Sequence, residues 1–335
     1  MPAAFVIAEA GVNHNGSVAR ALSMVDAAAD AGADAVKFQT FTAERLVTQD
    51  APKAAYQVEA LDSGESQYQM LARLELSAED HDVLRVRCDE RGIEFMSAAF
   101  DVLSRRFLSG LGIRRVKVPS GELTNIPYLR EVAVLGLPVL LSTGMATLDE
   151  VREALFVLEG AGLSRREITV LQCTTEYPTP SADVNLLAMI TMRDEFGVRI
   201  GYSDHTSGIE IPVAAVALGA AVIEKHFTLD RTLPGPDHRA SLEPGEFAEM
   251  VRAIRSVEAA LGDGVKRPSA AESANADVAR KSIMAATDIA SGELMTVENL
   301  TVKRPGTGLS PLKWDVIVGR TASRAYRRDD LIEEA

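Results

Sequence analysis

Six polar side chains recur at one kind of place in this chain. Lys37, Lys117, Ser120, Ser142, Thr175 and Ser203 each stand at, or just beyond, the downstream end of a short apolar run. Two cations and four hydroxyls converging on one point are what a small phosphorylated anion requires. The plainer reading is that buried lysines pair with Glu9, Glu122 and Glu224, but convergence from several separate runs favours the anion. His205 and His226 end successive runs, so their imidazoles can meet and bind one divalent ion, with Glu9 or water completing the shell. So few protein ligands among oxygen donors suit Mn2+ or Mg2+ better than a closed structural zinc site. The alternative is a pair of hydrogen-bonded rim histidines. Asp237, in LDRTLPGPDH, is either a turn-forming carboxylate or an acceptor for a substrate hydroxyl. His238 is expected at the surface, and His81, inside SAEDHDVLRV, is expected to be structural.

The runs themselves alternate with amphipathic stretches. AFVIAE (4–9), AVKFQT (35–40), IEFMSA (93–98), RVKVPS (115–120), PVLLST (138–143), ITVLQCT (168–174), RIGYS (199–203) and AVIEKHF (221–227) read as buried strands. Helices between them are opened by caps such as Ser17, Ser77 and Thr147 and stopped by Gly32, Gly92, Gly112, Gly136, Gly162, Gly197 and Gly219. Alternating strand and helix implies parallel strands with right-handed crossovers, and eight units in residues 1–262 predict a closed (β/α)8 TIM barrel. Chemistry in such a barrel sits at the carboxyl ends of the strands. That is where Glu9, Gln39, Ser97, Glu122 and Tyr177 also fall. The stretch 49–74 breaks the rhythm and is expected to be a long loop on that face. Residues 263–280 lack an apolar face and read as a linker, and 281–335 read as a small, mainly β module that must dock on something.

The totals bound the function. A length of 335 residues, 47% of them apolar, supports one large core and one small one. The formal net charge of −13, with no basic stripe, argues against nucleic acid. The amino terminus has no basic region before its apolar run, and Glu9 interrupts that run early, so neither a secretion signal nor a membrane span is expected. With only Cys88 and Cys173 available, a reduced cytoplasmic setting is expected.

The motifs IAEAGVNHNG, VKFQTF, KVPSGELTN, LSTGM, QCTTEYPTP, GYSDHT, IEKHFTLD with GPDH, and VKRPGTGLSP occur in that order along the whole chain. In this the chain resembles the sialic acid (nonulosonate) synthases, with a tail similar to an antifreeze-like SAF domain. The resemblance implies that C3 of phosphoenolpyruvate attacks the aldehyde of an open-chain N-acetylmannosamine-type hexose, that water adds at C2, and that phosphate leaves by C–O cleavage. It implies that Lys37, Lys117, Ser120, Ser142, Thr175 and Ser203 hold phosphoenolpyruvate and that His205 and His226 hold Mn2+ or Mg2+. Glu9, Gln39, Tyr177 and Asp237 would orient the sugar, with Ser97 beside them, and Glu9 and Glu122 would move protons. Arg304 matches an arginine that reaches the sugar's N-acetyl group in the partner's barrel, which implies a domain-swapped homodimer. Thr175–Glu176 stands where sialate synthases commonly carry asparagine, and Ser97, Ala98 and Ala99 precede Phe100 where a Thr-Pro-Phe pattern is more familiar. The TTEYP form looks more like synthases of legionaminic-type acids, which use 2,4-diacetamido-2,4,6-trideoxymannose.

Two other readings remain at this point. One is a phosphoenolpyruvate-condensing barrel that acts on a phosphorylated aldose, against which the C-terminal module argues. The other is a non-catalytic carbohydrate-binding or polysaccharide-assembly protein on the same fold.

Overall fold

The computed structural model describes residues 3–54, 57–58 and 64–334. It divides into two units, residues 1–262 and 263–335. In the first, strands β1 (Phe5–Gly11), β2 (Ala35–Thr40), β3 (Glu94–Ala99), β4 (Val116–Val118), β5 (Val139–Ser142), β6 (Ile168–Gln172), β7 (Arg199–Asp204) and β8 (Val222–His226) close into a parallel barrel in chain order. β-Branched and aromatic side chains on one strand face pack outward against the helices, and the alternate residues fill the interior. Ile7, Met96, Leu140 and Leu171 plug the floor of that interior. At roughly 1.5–3 kcal/mol for each large apolar side chain buried, this plug and the outer layer stabilise the frame that carries the polar mouth.

The helix boundaries follow local chemistry. Ser17, Ser77 and Thr147 accept from the backbone amides of Arg20, Asp80 and Glu150, and the last two form reciprocal capping boxes. Gly92, Gly112 and Gly197 terminate their helices in the left-handed region. Strand β4 is shorter than the sequence predicts, because Pro119 donates no amide and a 3-10 turn, Ser120–Glu122, follows at once. The stretch expected to be a long loop holds helical turns at Gln57–Val58 and Gln67–Ala72, the latter capped by Ser66. Residues 55, 56 and 59–63 of that expectation lie outside the described ones. Its apolar residues Met70, Leu71 and Leu74 pack with Val12, Phe41 and Ala43 into a separate small core above the barrel.

In the second unit, Ser282–Ala285 pairs antiparallel with Leu300–Lys303. Isolated bridges such as Ile289 to Tyr326 extend this β character around a core that includes Ile283, Met295 and Ile317. The stretch read as a linker contains a helix, Ala270–Ala279. It has no buried residue, so it carries no apolar stripe for a periodicity argument to find. It forms because it is alanine-rich and Ser269 and Glu272 make a capping box at its start. No helix among the described residues is long and apolar enough to cross a membrane.

Candidate active site

The carboxyl ends of the strands enclose a cavity of 330 Å³ in the first unit. Parallel pairing sets Glu9 beside both Lys37 and His226, and Ser203 beside Glu224. These residues therefore face inward together. Lys37 Nζ lies 2.7 Å from Glu9 and 3.6 Å from Glu224, and Lys117 Nζ donates to Glu224 at 2.7 Å. Ser203 Oγ donates to the same Glu224 oxygen at 2.9 Å. Burial alone would raise Glu224, but Lys117 and Lys37 outweigh it and hold the carboxyl well below the usual carboxylate range. At Glu9 the balance reverses: burial outweighs the pull of Lys37, Glu224 adds repulsion, and the carboxyl is raised. Burial would lower Lys37, yet Glu224 and Glu9 hold it above its ordinary value. Of the two carboxyls, Glu224 is thus the one held more firmly in its charged form.

A wall of hydroxyls rises beside these charges. Ser142 Oγ and Thr175 Oγ1 are buried on the cavity without a hydrogen-bond partner among the described residues. Buried hydroxyls normally find partners, so this pair is suited to an incoming acceptor. Ser120 Oγ accepts from the Gly144 amide at 2.9 Å and lies 3.3 Å from Cys173 Sγ. Gly144 is close-packed: a Cβ there would stand 2.3 Å from Thr175 Oγ1 and 2.8 Å from Ser120 Oγ.

The imidazoles of His205 and His226 meet at 5.2 Å between ring centroids, and Tyr177 stacks on His205 at 4.2 Å. His205 Nδ1 donates to the Thr174 carbonyl at 2.5 Å, which leaves Nε2 as a lone-pair donor. His226 Nδ1 is buried without a hydrogen-bond partner among the described residues. Burial lowers His205 to about 4 and, with repulsion from His205, holds His226 well below its ordinary value, so both rings are neutral near pH 7. Two neutral, aimed imidazoles are the form in which histidine accepts a divalent ion. Asp237 Oδ2 lies 3.8 Å from His226 Nδ1. Burial, with Glu9 adding to it, pushes the Asp237 carboxyl up to about 7. Asp237 caps no turn with its side chain and lines the cavity.

Of the residues singled out in the sequence, Glu9, Lys37, Gln39, Lys117, Ser120, Ser142, Thr175, Tyr177, Ser203, His205, His226 and Asp237 are brought to the cavity. Ser97 is not: it faces outward, 2.7 Å from Thr40 Oγ1, which also contacts His81. The neighbouring Ala98 takes the inward position, because it is Ala98 that pairs with Lys117. Glu122 does not line the cavity either; its carboxylate accepts from Asn125 Nδ2 at 2.6 Å, and burial raises it. Arg304 belongs to the second unit, where its Nε donates to the Ala279 carbonyl at 3.0 Å. His238 is fully buried rather than superficial, 2.7 Å from Thr228 Oγ1 and 3.3 Å from Asn15 Oδ1. With Asn13, which donates to the Phe227 carbonyl, it ties the loop after β1 to the loop after β8. Sequence reasoning passed over Cys173 and the apolar lining from residues 46–74. Strand alternation with Leu171 would have found Cys173.

Fold and site together define a (β/α)8-barrel enzyme whose mouth gathers two paired lysines and a wall of hydroxyls beside a pair of neutral histidines. The chain belongs to the NeuB family, whose sequence pattern matches residues 24–266, and residues 280–335 match the SAF domain. The N,N'-diacetyllegionaminic acid synthase of Campylobacter jejuni subsp. jejuni is 48% identical over 334 residues, which cover 100% of both chains. The protein of the same description from Legionella pneumophila subsp. pneumophila is 49% identical over 322 residues, covering 95% of this chain and 90% of that one. Among solved structures, the N-acetylneuraminic acid (sialic acid) synthetase of Leptospira borgpetersenii, in complex with citrate, is 36% identical with a TM-score of 0.72, covering 82% of this chain and 90% of that one.

Proposed function

We propose that this chain is a nonulosonic acid synthase that condenses phosphoenolpyruvate with 2,4-diacetamido-2,4,6-trideoxymannose and water to give an N,N'-diacetyllegionaminic-type keto acid and phosphate. The observation that carries the reading is the pair of partnerless buried hydroxyls, Ser142 and Thr175, beside Lys37 and Lys117. The relatives at 48% and 49% identity support this sugar over N-acetylmannosamine.

In this reading Lys37, Lys117, Ser120, Ser142, Thr175 and Ser203 bind phosphoenolpyruvate and fix its C3 toward the aldehyde. A C–C bond forms from C3 to the aldehyde carbon, whose oxygen takes a proton. Water adds at C2 and gives up a proton, and the C2–O bond to phosphate breaks. Glu9, which faces the cavity beside Lys37, is the transfer group we assign. Glu122, one residue beyond the cavity-lining Gly121, is the second candidate. Gln39, Tyr177 and Asp237 orient the sugar. His205 and His226 would hold Mn2+ or Mg2+, which when bound polarises the aldehyde carbonyl. Among the described residues no group of three or more His, Cys, Asp or Glu is arranged around one point, so substrate or water would fill the remaining positions.

We assign the enzyme to the cytoplasm, where phosphoenolpyruvate is made, and to a domain-swapped homodimer in which Arg304 serves the partner's N-acetyl group. Mixing an Arg304→Ala chain with a Lys117→Ala chain tests the swap, since only a shared site restores activity. The function is tested by phosphate release and product mass with each sugar, with and without EDTA. EDTA-sensitive formation of a nine-carbon keto acid is expected. Turnover of a phosphorylated aldose instead would replace this reading.

A further inference from the structure

Behind the cavity wall lies a buried ion pair that no step of the proposed reaction uses. Side chains alternate along a strand, so Asp204 and Lys225 face away from the mouth while their neighbours Ser203, Glu224 and His226 line it. Asp204 and Lys225 stand directly opposite each other on β7 and β8, both are fully buried, and Lys225 Nζ donates to Asp204 Oδ2 at 2.5 Å. Taking two opposite charges wholly out of water costs about as much as their attraction returns, so such a pair is a poor source of stability. Its hydrogen bonds show where its effect is directed. Asp204 Oδ1 accepts from the Thr206 amide at 3.0 Å, Asp204 Oδ2 accepts from Thr206 Oγ1 at 3.1 Å, and Lys225 Nζ donates to the Thr206 carbonyl at 2.5 Å. All three polar groups of Thr206 are thus bound to the pair. His205 stands between Asp204 and Thr206, one residue beyond the end of β7. Ser203 and Glu224 need no such clamp, since they pair with each other inside the barrel ladder.

Resting on the reading of His205 and His226 as metal ligands, we propose that Asp204, Lys225 and Thr206 are positioning residues that hold His205 where, with His226, it takes a divalent ion. The clamp fixes the backbone on both sides of His205. Asp204 and Lys225 are also the residues that immediately precede the two histidines, so their bond ties the two ligand-bearing strand ends together and sets the 5.2 Å spacing of the rings.

The test compares two ligands of one site. Asp204→Asn combined with Lys225→Met removes both charges at similar volume and leaves no buried charge alone. Mn2+ affinity, read from the paramagnetic resonance of the free ion, is expected to fall about 10- to 100-fold, the range in which partners behind a metal ligand act. Phosphoenolpyruvate affinity, titrated by calorimetry without metal, is expected to stay at the parental value, because Ser203 and Glu224 keep their ladder. Should the double variant fail to fold, Thr206→Val deletes one hydrogen bond of the clamp and is expected to weaken Mn2+ roughly threefold or more. Thr206→Ser, which keeps the hydroxyl, is expected to restore it. Parental Mn2+ affinity in the folded variants, or an equal loss of phosphoenolpyruvate affinity, overturns the positioning role and leaves the metal reading intact. A parent protein that binds no Mn2+ overturns both.

Discussion

Glu224 holds both lysines of the cavity at once, taking Lys117 at 2.7 Å on one carboxylate oxygen and lying 3.6 Å from Lys37 on the other. Glu9 completes the set, so two cations and two carboxyls are buried together. In the proposed reading, phosphoenolpyruvate would bind by loosening existing ion pairs and not by meeting bare cations.

Glu224→Gln keeps the shape but removes the charge. Breaking a buried pair from one side is expected to cost about 3 kcal/mol, read from urea unfolding. Phosphoenolpyruvate should then raise the melting temperature of the variant more than that of the parent, because it supplies the missing negative charge. An unchanged unfolding midpoint would rule out this account of the cluster.

Ser142→Ala and Thr175→Val remove hydroxyls that have no hydrogen-bond partner among the described residues. Stability should stay within about 0.5 kcal/mol. Binding of phosphoenolpyruvate should weaken, since a hydrogen bond to a charged group contributes about 1.5–3 kcal/mol, roughly 10- to 150-fold in Kd. Calorimetric titration separates the two effects, and unaltered affinity in both variants would remove the hydroxyls from the anion site.

Loss of one imidazole should abolish metal affinity before it disturbs the fold. His226→Ala is expected to weaken Mn2+ binding by at least about tenfold, read from the paramagnetic resonance of free Mn2+, with near-native circular dichroism. Retained binding would retire the histidine pair as the metal ligands.

Two histidines outside the cavity set a pH dependence. Burial is the main cause that lowers His14 and His238, each to about 4 from an ordinary 6.5. Between those values the unfolded chain takes up protons that the folded chain refuses. Their neutral-form stability is thus fully present above about pH 6.5 and is lost as pH falls toward 4, by as much as about 3 kcal/mol for each ring. Urea midpoints at pH 7.5, 5.5 and 4.5 should fall in that order. A His238→Gln variant should show a shallower fall, and an identical slope would exclude His238 as a contributor.

The barrel was legible because its signals are local and repeated: β-branched runs, Ser or Thr caps, and glycine stops at positions such as Gly92 and Gly197. Most of the site was legible for a related reason, since strand ends deliver inward residues every second position. Ser97 shows the limit of that reasoning. Its place near a strand end suggests the mouth, but inter-strand register decides the face, and register is a relation between strands that one strand does not contain. The helix Ala270–Ala279 escaped because propensity and capping, not a buried stripe, hold it. His238 and Asn15 were unreadable as partners because they are far apart in sequence and join only when β8 closes on β1.

Gly144 and its missing side chain carry a genetic consequence. A single methyl group at this codon would collide with Thr175 Oγ1 and Ser120 Oγ, two of the oxygens the anion is expected to meet. Codon 144 is therefore a position where a saturation library should return almost no active clones. At Val134, which is 77% exposed and does not line the cavity, a library of the same kind should return many.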